Sequence, residues 1–231
     1  MKTIRRRIWL PLALCLLSSM LRAEDYEPLR IPHDAAVRTL DIAVTDAKRS
    51  REIPLRVYLP PDTSKKPVAS GDSAKSSRAP VVLFSHGLGG SRAGSSFLGK
   101  HWASRGYVAV FLQHPGSDES VWKDQPLAQR MAAMREAASL KNFMLRAEDV
   151  PVVLDQLAKW SDDTAHELAG RLDVRRVGMS GHSFGGHTTQ AVSGQSFPSG
   201  GQRLADTRIK AAIVMSPVLP IVATSTRRSA R

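Results

Sequence analysis

Cysteine is almost missing from this chain. Among 231 residues there is one, Cys15. A single thiol closes no intramolecular disulfide, and this one lies in the apolar stretch IWLPLALCLLSSML near the start. The remainder therefore has no disulfide framework and no thiol nucleophile. Metal-ligand patterns are lacking too: the seven histidines stand at no metal-ligating spacing with carboxylates, so no metal site is expected. There is no dense Lys/Arg stripe with interleaved aromatics, the usual footprint of a nucleic-acid partner. No internal repeat is present. The stretch GSSFLGKH (94–101) nearly matches a phosphate-binding loop, but it ends in His101 where a magnesium-binding Ser or Thr belongs, and it starts several residues past the preceding strand.

The first 23 residues read as a secretory signal peptide: a basic head, MKTIRRR, then an apolar segment too short for a comfortable membrane span, then Ala23 at a cleavage point. The mature chain is expected to be exported to the periplasm or the extracellular space. Leu14 before Cys15 argues against lipid attachment, and Arg6-Arg7 is only a faint twin-arginine pattern. Residues 1–23 hold five Lys/Arg and no acid, so their removal lowers the formal charge from +12 to +7. Such a balance fits an ordinary solvated surface.

What is present is an alternation. VRTLDIAVTD (37–46) and EIPLRVYLP (52–60) read as a hairpin. Residues 62–80, rich in Ser, Lys, Ala and Pro, read as a flexible surface loop. From there strands alternate with helices. PVVLFSH (80–86), YVAVFLQH (107–114), VRRVGMS (174–180) and IKAAIVMS (209–216) are continuous apolar runs, as strands covered on both faces should be. Helices are expected over 95–105, in a long region ending with Val150, Val153, Leu154, Leu157 and Trp160, and over 185–193. Asp149 is placed to cap the last part of the long region, with Pro151 in its first turn. The implied fold is α/β: a mostly parallel sheet with helices on both faces, in one domain over 24–231.

Two glycine-rich motifs carry chemistry. Gly181-His182-Ser183-Phe184-Gly185 lies between a predicted strand and a predicted helix, the setting of a nucleophile elbow. Such a turn is tight enough that Gly181 and Gly185 must be small, and its strain lifts the serine hydroxyl above the sheet edge. The second motif, Ser85-His86-Gly87-Leu88-Gly89-Gly90, directly follows a strand and suits a loop that offers a backbone N–H to a carbonyl oxygen. Leu88 and Phe184 would be the two donors. His86 and His182 read as bracing and packing residues.

SREIPLRVYLP, FSHGLGG, YVAVFLQHPGSD, RAEDVPVVLDQL and GHSFGGHT occur in that order. In this the chain resembles α/β-hydrolases related to dienelactone hydrolase and to platelet-activating-factor acetylhydrolase isoform II, over about residues 37–217. The resemblance implies hydrolysis of a small-molecule carboxylic ester through an acyl-serine, with Ser183 as nucleophile and no cofactor.

The triad is incomplete in this reading. In that fold the acid and then the histidine follow the serine. After Ser183 come only His187 and Asp206, in the wrong order. His187 lies one turn along the elbow helix, and Asp206 precedes a strand rather than following one. Ser216 stands where the acetylhydrolase branch places its acid. No acid or base is identified, the tail over 218–231 is irregular, and the last strands of the fold are missing. The chain is expected to be a C-terminally truncated hydrolase of impaired activity. The alternative is a non-catalytic pseudohydrolase that binds an ester, a lipid or a protein partner.

Overall fold

A computed structural model describes residues 37–61, 78–198 and 201–216. The expected signal peptide, most of the 62–80 loop and the 218–231 tail lie outside the described residues. The one overlap corrects a boundary: Ala79 and Pro80 already belong to a strand.

Strands β1 (Arg38–Asp46) and β2 (Arg51–Leu59) pair antiparallel from Arg38↔Leu59 to Asp46↔Arg51. Their turn is held by the Asp46 carboxylate, which accepts the N–H groups of Lys48 at 3.0 Å and Arg49 at 3.4 Å. Asp side chains favour this local bond, which sets the turn without help from the core. Strand β3 (Ala79–Ser85) leads to helix α1 (Ser96–Ser104) and strand β4 (Val108–Leu112). Helices α2 (Ser120–Lys123), α3 (Leu127–Ala137) and α4 (Leu140–Asp162) follow. Strand β5 (Leu172–His182), helix α5 (Phe184–Val192) and strand β6 (Ile209–Met215) complete the described order.

The six strands form one sheet in the order β1-β2-β4-β3-β5-β6. The β2–β4 pair is antiparallel, whereas β4, β3, β5 and β6 are mutually parallel. Ser85 lies opposite Gly181, and His182 lies opposite Met215. The carboxyl ends of β3, β5 and β6 therefore finish along one edge. The chain passes from β3 to β4 on one side and later returns to place β5 on the other. At such a switch point the loops part and leave a crevice.

Both faces of the sheet are covered. On one, Val150, Val153, Leu154 and Leu157 of α4 and Val192 of α5 join Val57, Leu83 and Val110. On the other, Leu98, Trp102 and Ala103 of α1 pack on Tyr58, Phe84 and Phe111.

Two expectations are corrected. Asp149 caps no helix: α4 begins ten residues earlier in sequence, with Ser139 as cap, its hydroxyl accepting the Asn142 N–H at 3.2 Å. The helix continues through Pro151, which forfeits one backbone hydrogen bond. The apolar stripe that α4 lays on the sheet outweighs that loss. Strand β6 is also not buried: Lys210, Ala211, Ala212 and Ile213 are exposed. It is the sheet edge among the described residues, so its apolar run signalled a parallel strand correctly but not cover on both faces.

Candidate active site

Ser183 links β5 to α5 with φ 54° and ψ −116°, a backbone that a residue with a Cβ adopts only under strain. The turn is held from below. The Ser183 N–H donates to Met215 O of β6 at 3.0 Å, and the Ser183 carbonyl accepts from Gly186 N–H at 2.8 Å and His187 N–H at 3.2 Å. The Ser183 side chain is half-buried and lines a cleft of about 290 Å³ together with His86, Gly87, Leu88, Gly89 and His182. The Gly87 backbone is close enough that a Cβ built there would lie 3.6 Å from Ser183 Cβ.

The structure thus brings Ser183 and Leu88 to one crevice. Among the described residues neither the Leu88 nor the Phe184 N–H donates to a backbone carbonyl. Phe184 does not line the cleft. Its ring lies against the Arg146 guanidinium instead, 4.6 Å from centroid to Cζ. The 86–90 loop is anchored by Gly89 N–H to Ser117 O at 2.9 Å and by Trp122 Nε1–H to Gly89 O at 2.7 Å.

The histidines fall into distinct roles. His86 is buried; its Nδ1–H donates to Gly87 O at 2.7 Å and its Nε2 accepts the His114 N–H at 3.2 Å. With both ring nitrogens engaged it braces the loop and offers no lone pair to Ser183. His182 is exposed at the cleft, and His187 is half-buried on α5. Asp206 stands before β6, bound to Arg208. That is the end of the strand opposite to Ser183, so its carboxylate cannot serve there. Ser216 follows β6 with φ 48°.

A Ser–His–Asp chain does exist, in an unexpected place. Ser85 Oγ lies 2.9 Å from His114 Nε2, and His114 Nδ1 lies 2.8 Å from Asp149 Oδ2. All three side chains are fully buried, so no ester reaches Ser85. Asp149 also accepts from Arg51 Nε at 2.8 Å, Arg51 Nη2 at 3.0 Å and Arg49 Nη2 at 2.9 Å. This assembly ties the β1–β2 hairpin and the end of β4 to α4. Sequence reasoning missed it. The available signal was Arg146 and Asp149, three apart, on the same stripe of α4 as Val150 and Val153.

Burial governs the charges in this assembly. It lowers the His114 pKa to about 4, against the opposing pull of the Asp149 hydrogen bond. It lowers His86 well below the usual histidine value, helped by Arg146. Desolvation opposes ionisation of Asp149, but its hydrogen bonds to His114 and Arg51 win and hold its carboxyl below the ordinary range. Both histidines are neutral in the folded protein and take up protons on unfolding in acid. Their contribution to stability is complete above the unfolded value of about 6.5 and is lost as pH falls; for His114 the window runs from there to about 4. The expected result is a midpoint of thermal unfolding that drops from pH 7 to pH 4, His114 alone accounting for about 3 kcal/mol. In His114→Asn the slope across that range should flatten; an unchanged slope would show that His114 is not the group responsible.

A strained serine at a strand-to-helix turn, facing a glycine loop at the switch point of a parallel sheet, defines the α/β-hydrolase fold. Residues 17–150 match the family model of platelet-activating factor acetylhydrolase, isoform II, and the chain belongs to that family. The platelet-activating factor acetylhydrolase of Cavia porcellus is 27% identical over 134 residues, which cover 47% of this chain and 30% of that protein. Among solved structures, a protein assigned as a dienelactone hydrolase from Klebsiella pneumoniae superposes with a TM-score of 0.54 at 16% identity, covering 80% of this chain and 62% of its own. A ferulic acid esterase from Streptomyces cinnamoneus gives a TM-score of 0.49 at 24% identity, with 83% and 62% covered. The chain thus spans less than two thirds of the length of each of these proteins. Among the described residues no helix is long and apolar enough to cross a membrane.

Proposed function

We propose that this chain carries the nucleophile and the oxyanion hole of a serine hydrolase acting on small-molecule carboxylic esters. Ser183 Oγ attacks the ester carbonyl carbon. The carbonyl oxygen becomes an oxyanion that accepts from the Leu88 and Phe184 N–H groups; the ester C–O bond breaks, the alcohol leaves with the proton lost by the serine hydroxyl, and water hydrolyses the acyl-serine to the carboxylic acid and free Ser183. The step calls on no metal or organic cofactor. The observation that carries the reading is the strained backbone of Ser183, opening at the end of β5 onto the glycine loop that follows β3. Family membership and the mostly parallel sheet support it. The basic, apolar start of the chain supports an exported, periplasmic or extracellular location.

Turnover by this chain alone is proposed to be slow. Among the described residues His114 is the histidine paired with a carboxylate, and it is sealed beneath the loop. That observation also favours a second reading, a non-catalytic relative that keeps the cleft to bind an ester, a lipid or a protein.

A fluorophosphonate probe separates the two. The expected result is covalent labelling of the folded protein at Ser183, abolished in Ser183→Ala, with hydrolysis of an activated phenyl ester no more than about 10³–10⁴ over water. Folded protein that takes no label would leave the binding reading in possession.

A further inference from the structure

Arg146 is a cation with no exposed surface. Arginine is rarely buried so completely, because taking its charge out of water is costly. Burial draws its pKa down to about 9, opposed by Asp149 and Asp118, so it remains charged at neutral pH. Yet its hydrogen-bond acceptors are neutral. Nε donates to Ser117 Oγ at 2.7 Å, Nη1 to His86 O at 2.7 Å and Ser85 Oγ at 3.4 Å, and Nη2 to Ser117 O at 3.2 Å and Gly87 O at 3.4 Å. These five bonds use all five donors of the guanidinium. The contact between Arg146 Nη2 and His86 Nδ1 at 3.2 Å is not a sixth, because that nitrogen carries the proton given to Gly87 O.

The pattern of acceptors is informative. In a trans peptide the C=O and the next N–H point in opposite directions. Holding Gly87 O inward, toward Arg146 and His86, turns the Leu88 N–H outward. The same guanidinium lies against the ring of Phe184, the first residue of α5. Through Ser117 O it also shares an acceptor with Gly89 N–H. One planar side chain therefore reaches both the 86–90 loop and the first residue of α5.

We infer that Arg146 is a positioning residue of the oxyanion hole, locking the Leu88 and Phe184 amides in register from beneath. The inference rests on the reading of those amides as oxyanion donors. Lysine cannot replace it fully, since an ammonium has three donors and no flat face to lay on an aromatic ring.

The test compares the full chain with Arg146→Met, Arg146→Lys and Phe184→Leu. Fluorophosphonate labelling is resolved into a maximal rate and a half-saturating concentration, and hydrogen–deuterium exchange is followed over 86–90 and 183–188. Labelling of the parent protein at Ser183, with a maximal rate at least about tenfold lower in Arg146→Met at an unchanged half-saturating concentration, supports the inference. Arg146→Lys should fall between the two, and exchange should quicken in both segments while the β1–β2 hairpin is unaffected. Should Arg146→Met fail to fold, Arg146→Lys and Phe184→Leu carry the same comparison. A folded Arg146 variant that labels at the parent rate overturns the inference and leaves Ser183 as nucleophile. A folded parent that does not label removes the nucleophile reading and the inference with it.

Discussion

Gly185→Ala is expected to cost about 3 kcal/mol or more, or to prevent folding outright. A Cβ at this position would lie 1.9 Å from Ser85 O and 2.7 Å from His86 O, both of them backbone atoms that no rotamer change can move. The same crowding holds at Gly181, where a Cβ would meet Gly185 O at 2.2 Å. Relief requires α5 to withdraw from β3, and that withdrawal would carry Phe184 and Ser183 away from the Leu88 loop. Labelling at Ser183 should therefore be lost even in any fraction that stays folded. Gly178→Ala, on the strand β5 that leads into the elbow, is the matched control. Its nearest foreign atoms would be 3.8 Å away, so its effect should stay within about 0.5 kcal/mol. Urea unfolding of the three proteins measures this. Equal midpoints for Gly185→Ala and the parent would refute the close strand–helix contact.

Asp149→Ala is expected to destabilise the protein by about 3–5 kcal/mol. Its carboxylate is fully buried and accepts from Arg49, Arg51 and His114. Removing it leaves the largely buried Arg51 guanidinium and the sealed His114 ring without their partner. An unpaired buried charge is far costlier than the pair was favourable. Three elements would loosen together, since the carboxylate joins the hairpin, the end of β4 and α4. Glu148→Gln, one residue away on the same helix, should change stability by less than about 1 kcal/mol. That side chain is half-exposed, and its contact with Arg49 spans 3.4 Å. Comparable losses in the two variants would mean that burial does not set the strength of this network.

The alternation of apolar runs and helical periods was enough to read the parallel strands, because a strand covered on both faces must be apolar throughout. The glycines around Ser183 were equally legible, since a turn that tight excludes a Cβ, whatever surrounds it. The start of α4 was not. Pro151 and Asp149 looked like a first turn, while the true cap, Ser139, lies upstream in a weakly patterned stretch. Nor was the exposure of β6, because hydrophobicity reports what a strand is built to face and not what covers it.

The sequence by itself determined the strand-to-helix elbow at Ser183, the loop at Gly87–Gly90 and the order of elements that brings them to one sheet edge. These follow from local sterics and periodicity, which act over a few residues. Only the tertiary structure decided what His86, His114, Arg146 and Asp149 do. Apart from the His86–Gly87 bond, their side-chain partners are 28 to 100 residues away along the chain, and a buried polar group takes its role from whichever neighbours satisfy it after the chain has closed.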